Sequence, residues 1–162
     1  MSRQAQSCRG RRHVAQRVWR AAALAGVLLL GACVGRETEA VRARDLTEAA
    51  EALDLNIDAI NRHDVEAYLA QYLESPNLIV ASADSLRRGY LLFAEARRAS
   101  SDWPDTLLIG DPTLVWIAPG VVWGAFEYRG VVGPDTARGM SERLFVKTPA
   151  GWKIAVTGMM ER

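Results

Sequence analysis

The chain has little of the side-chain chemistry that metal and redox work requires: two cysteines and two histidines in 162 residues. These are Cys8, Cys33, His13 and His63. Acidic residues are missing altogether before Glu37, whereas Arg3, Arg9, Arg11, Arg12, Arg17 and Arg20 stand there unopposed. Ala21 to Ala32 carries no charge. As a helix rising about 1.5 Å per residue it reaches only about 18 Å, well short of a hydrocarbon core about 30 Å thick. A basic stretch followed by an apolar segment of this length has the form of a secretory signal and not of a membrane span.

Leu30-Gly31-Ala32-Cys33 resembles the lipobox of bacterial lipoproteins. The resemblance implies a signal peptide over 1–32, cleavage before Cys33 and lipid on that cysteine. It also implies a cell-envelope protein that meets the membrane only through its N-terminal lipid. Val34 stands where aspartate would resemble an inner-membrane retention signal, which favours the outer membrane, periplasmic side, in a Gram-negative host. The product starting at Cys33 carries 14 basic and 19 acidic residues, a net charge of about −5 against +1 for the whole chain. A mildly acidic domain without clustered lysine and arginine is no candidate for nucleic acid or for anionic head groups. Cys8 is removed and Cys33 becomes a thioether, so no disulfide, thiolate nucleophile or cysteine-held metal is expected. His63 is then the one remaining histidine, which argues against a histidine zinc site. No cofactor is called for.

Residues 33–44 read as the lipidated cysteine and a tether, and 45–162 as one domain. Asp45 and Glu48 have the spacing of a reciprocal helix cap. Leu46, Ala50, Leu53, Ile57 and Ile60 then recur in steps of three and four, one helical face. Asp64 caps a second helix bearing Val65, Tyr68, Leu69 and Tyr72. Asn77 to Ala83 reads as a strand, and Tyr90 to about Ser100 as a third helix. Beyond Pro104 the period changes to that of strands: Asp105–Ile109, Thr113–Ala118, Val121–Arg129, Ala137–Lys147 and Gly151–Met160, separated by Pro-Gly, Gly-Pro-Asp and Pro-Ala-Gly turns. Helices first and strands after predict an α+β domain, three N-terminal helices packed on one face of a strongly curved antiparallel sheet.

Four segments carry a resemblance to the nuclear-transport-factor-2-like superfamily and, within it, to SnoaL-like domains. They are Ala59-Ile60-Asn61-Arg62-His63-Asp64-Val65-Glu66-Ala67-Tyr68-Leu69, Pro76 to Ser82, Arg88-Gly89-Tyr90, and Gly151-Trp152-Lys153-Ile154. The resemblance implies a cone-shaped, cystatin-like α+β barrel whose mouth accepts a ligand. Its members include isomerases, hydrolases, cyclases, dehydratases, small-molecule binders and assembly modules, so fold alone does not select the activity. By comparison with the ketosteroid-isomerase branch, the oxyanion-donating tyrosine falls at Asn56. The general-base aspartate falls near Val80 to Ser82, where there is no acid before Asp84. Neither role transfers.

Strand phase separates inward-facing from outward-facing groups. Val122, Gly124, Phe126 and Tyr128 form the more apolar set of their strand and are expected inside, leaving Glu127, Arg129 and Trp123 outside. In the next strand Met140, Leu144 and Val146 share a face with Glu142, which makes Glu142 the expected carboxylate of the cone. Desolvation there would raise its pKa and suit it to proton transfer, with Tyr128 as a hydroxyl partner. The structural alternative is that Glu142 pairs with Arg129 or Arg138. Trp116, Phe126, Tyr128, Glu142, Trp152 and Met160 are thus the candidate pocket residues, each aromatic being equally a core residue. His63 reads as a solvated turn residue. Three functions stay open: uptake of a small apolar or amphipathic molecule, an isomerase, lyase or hydrolase activity based on Glu142, and a homodimer or other assembly through the outer sheet face around Trp123.

Overall fold

Between Thr38 and Asn61 there is neither glycine nor proline, and the chain answers with one long helix. The structure is a computed structural model that describes residues 38–161. The lipobox, Cys33 and the signal segment lie outside the described residues. Helix α1 spans 38–61, followed by α2 (Val65–Ala70) and α3 (Tyr90–Ala99). The strands are β1 (Ile79–Ala81), β2 (Leu86–Arg88), β3 (Thr106–Ile109), β4 (Thr113–Ala118), β5 (Val121–Val132), β6 (Asp135–Thr148) and β7 (Gly151–Glu161). Among the described residues no helix is long and apolar enough to cross a membrane.

Helix α1 thus begins within the stretch expected to serve as tether. Residues 38–44 are helical, because Ala40, Val41 and Ala43 with their charged neighbours are ordinary helix formers. Asp45 is thus inside the helix and not its cap. The apolar stripe of α1 buries Ala49, Ala52, Leu53, Ile57 and Ile60 against Val122, Phe126, Phe145, Trp152 and Ile154 of the sheet, one continuous core. At its C-terminus His63 takes a left-handed φ of 54°. Its N–H reaches Ile60 O at 3.0 Å and the Asp64 N–H reaches Ala59 O at 3.0 Å, the paired bonds of a Schellman stop. Asp64 then caps α2, accepting from the Ala67 N–H at 3.0 Å.

The sheet is curved and open, in the order β2-β1-β7-β6-β5-β3, with β4 pairing on β5 as well. It is mixed and not wholly antiparallel as expected: β1 runs parallel to β7. β2 is a short exposed strand in what reads from sequence as a turn. The long β5–β6 hairpin closes at Val132 opposite Asp135, which places Phe126 opposite Ser141 and Gly124 opposite Arg143. Between β6 and β7 the register slips at Leu144/Phe145, so that Ala155 is an extra residue on β7. Such a bulge reverses which residues face the helices.

Candidate functional site

A cavity of about 360 Å³ opens on the concave side, bordered by α1, α2 and α3, the loop from Asp102 to Pro104, and β3, β5, β6 and β7. That volume is near the lower end of the range of about 300–1,000 Å³ common for small-molecule sites. β5 contributes Phe126 and Tyr128, β6 contributes Ser141 and Arg143, and β7 contributes Met159. These assignments follow from register, since residues directly opposite on paired strands share a face. Phe126 pairs with Ser141, and Ser141 with Met159.

Two of the six residues expected in the pocket line it, Phe126 and Tyr128. Trp116 and Trp152 belong to the concave face but pack beside α1. The Trp116 Nε1–H donates to Asp45 Oδ2 at 3.2 Å, and the Trp152 Nε1–H donates to Glu48 Oε2 at 2.8 Å. Lys147 completes this cluster by pairing with Glu48 and, at 3.6 Å, with Asp45. The other two face outward. Glu142 is exposed between the buried Ser141 and Arg143, so it is not the carboxylate of the cone and cannot act there as acid or base. Nor does it pair with Arg129 or Arg138, its suggested structural partners; none of the ion pairs among the described residues includes it. Met160, 57% exposed, does not border the cavity; past the bulge at Ala155 it is Met159, itself 51% exposed, that does.

The residues missed from sequence are polar. Arg143 is only 4% exposed. Its Nη1 donates to Ser141 Oγ, to Glu142 O at 2.9 Å and, more weakly, to Gly158 O at 3.5 Å. Ser141 in turn donates to Gly158 O at 2.8 Å. The guanidinium carbon lies 5.4 Å from the centre of the Phe126 ring. On the opposite wall, the Arg97 guanidinium sits 4.0 Å above the Trp103 ring. Its Nη2 donates to Ser100 Oγ at 3.2 Å and Asp102 O at 3.0 Å.

Tyr68 stands near both arginines. Its ring meets Trp103 edge-on at 5.3 Å and Tyr72 at 4.8 Å, and its hydroxyl accepts from the Tyr72 hydroxyl at 2.7 Å. Burial, reinforced by Tyr72, holds the Tyr68 hydroxyl well above the ordinary phenol range, against the opposing pull of the Arg143 and Arg97 charges. Tyr128 is also raised, by burial and then by the Glu161 charge. His63, exposed as expected, nevertheless has partners: its Nε2 lies 2.9 Å from Pro104 O and its ring stacks on Trp103 at 6.0 Å. Asn61 anchors the same corner, accepting from the Leu107 N–H at 2.7 Å and donating to its carbonyl at 3.1 Å.

A larger depression of about 520 Å³ is bordered by exposed residues, Leu108, Glu127, Arg129 and Arg138 among them, on the outer side of β3, β5 and β6. It lacks the convergence of buried polar groups found inside. Among the described residues, no three histidine, cysteine, aspartate or glutamate side chains are grouped to hold a metal ion.

A curved, open sheet with helices on its concave side is an α+β fold of the cystatin-like kind, and comparison with solved structures agrees. The chain is similar to a nuclear-transport-factor-2-like protein of Shewanella oneidensis at 19% identity, TM-score 0.63, over 70% of this chain and 97% of that one. A cystatin-like fold protein of Burkholderia xenovorans matches at 14% identity, TM-score 0.65, over 73% and 92% of the two chains. A ketosteroid isomerase-like protein of Erwinia carotovora atroseptica matches at 18% identity, TM-score 0.59, over 72% and 95%. At these identities the likeness establishes the fold alone. No family model matches the chain, and no curated protein matches it in sequence.

Proposed function

We propose that this is a lipid-anchored protein of the cell envelope whose cone takes up a small amphipathic molecule. The observation that carries the reading is the concave cavity of about 360 Å³, walled by Phe126, Tyr128, Trp103 and Leu107 and floored by polar groups. Large apolar walls with a few convergent polar groups are the general form of a small-molecule site. Release of a small molecule on denaturing the gently purified full chain supports the reading, and a cone that never yields or takes one up contradicts it. The anchor rests on the lipobox at Leu30 to Cys33, and Val34 next to it favours the periplasmic side of the outer membrane in a Gram-negative host. Labelled palmitate should enter the wild-type chain and not Cys33→Ala; equal labelling of the two contradicts the anchor.

A second reading concerns the outer face. Val115, Trp123, Leu144 and Val156 form a row across β4, β5, β6 and β7, with Ile117 beside it 57% exposed. An apolar row of this kind on the side away from the helices supports pairing with a second copy of the chain. Trp123→Glu should convert a dimer to a monomer in analytical ultracentrifugation; a wild-type chain that is monomeric at all concentrations ends that reading.

A further inference from the structure

Resting on the cone as an uptake site, we infer that its ligand is a small amphipathic carboxylate, its head group held by Arg143, Arg97 and the Tyr68 hydroxyl. The first ground is that Arg143 is a buried charge without a counter-ion. All its hydrogen bonds run from Nη1 to neutral oxygens, its Nε is buried without a partner, and no carboxylate pairs with it among the described residues. Interior charges are normally paired, because leaving water costs more than neutral acceptors return. The uncommitted donors, Nε and Nη2, lie along one edge of the guanidinium, the edge a carboxylate engages with both oxygens.

The second ground is convergence. Arg97 borders the same cavity from α3, and its Nε is likewise buried without a partner. Both guanidinium charges act on the Tyr68 hydroxyl. The Tyr68 hydroxyl, 2.7 Å from that of Tyr72, can turn its proton to an incoming oxygen while accepting from Tyr72. The remaining wall, from Ile60, Trp103, Leu107, Phe126 and Met159, suits an apolar or aromatic body. Two carboxylates also border the cavity, Asp102 and Glu161, both exposed. They leave the buried Arg143 and the half-buried Arg97 unpaired and oppose a ligand of high negative charge, which favours a carboxylate over a phosphate monoester.

The test uses the full chain in nanodiscs of zwitterionic lipid, titrated calorimetrically with 2-naphthoate and 2-naphthamide, with empty nanodiscs as the blank. The two probes share a shape and differ in charge. Naphthoate should bind at least tenfold more tightly than naphthamide. Arg143→Met should erase that preference while naphthamide binding persists, and Arg97→Met should weaken naphthoate several-fold. Should Arg143→Met fail to fold by circular dichroism, Arg143→Lys, which keeps the charge and loses the fork, carries the test with a several-fold loss for naphthoate only. Equal binding of the two probes, or a preference untouched by every arginine variant, overturns the inference and leaves the uptake site standing. Binding of neither probe, with nothing released on denaturation, overturns the uptake reading and the inference with it.

Discussion

Arg143 and Phe126 meet on the concave side of two neighbouring strands, the guanidinium carbon 5.4 Å from the ring centre. A cation over an aromatic face gains about 0.5–2 kcal/mol, too little to offset removal of a guanidinium from water. The Arg143 charge is therefore only partly compensated by the groups around it. Replacing Arg143 with methionine, similar in length and apolar, should leave the ligand-free protein at least as stable as wild type. Thermal unfolding in the absence of added anions checks this; a marked loss of stability would show that Arg143 holds the sheet together.

Asp45 gives the stability a defined acid limit. Burial alone would raise its pKa, but the hydrogen bonds from the Gly120 N–H at 2.8 Å and from Trp116, with the Lys147 charge, hold it below its ordinary value of about 3.8. A carboxylate depressed in the folded state stabilises fully above its unfolded pKa, and that contribution is lost as pH falls through the folded one. Stability should thus decline as pH drops below about 3.8. Denaturant titrations across that range should show a shallower decline for Asp45→Asn, at a lower plateau near neutrality. Parallel curves for the two proteins would remove Asp45 from this role.

Gly139 is a site of close approach. A methyl group there would overlap the Met160 carbonyl oxygen and come within 2.9 Å of the Tyr128 ring. Because the first obstacle is backbone, the β6–β7 ladder itself must move. Gly139→Ala should destabilise by about 1–3 kcal/mol, the usual cost of overpacking, and should also disturb the Tyr128 wall of the cavity. Chemical denaturation measures the first effect; an unchanged midpoint would contradict the packing described.

The sequence carried the element order well, because caps, turns and periodicity are local. Asp64, the Gly-Pro-Asp turn and the Pro-Ala-Gly turn fall where the chain reverses. The candidate site was legible only in β5, where the apolar set Val122, Phe126 and Tyr128 faces in. In β6 apolarity misdirected the phase: Met140, Leu144 and Val146 are half-buried on the convex face, while the cone keeps Ser141 and Arg143. A signal was present nonetheless. Closing the hairpin tightly at Gly133-Pro134 and counting back along both strands sets Ser141 opposite Phe126, which turns Glu142 out. The bulge at Ala155 had no such signal, since it depends on β6–β7 pairing, and it moved the inward methionine from 160 to 159. The work of Asp45 was likewise invisible: its partners Trp116, Gly120 and Lys147 lie far along the chain.

The most direct test of the account is negative-ion mass spectrometry of whatever denaturation releases from the full chain, purified gently from a bacterial envelope beside its Arg143→Met variant. A small amphipathic anion should leave the wild type and be depleted in the variant. Release of nothing from either protein, or of the same neutral molecule from both, would contradict this.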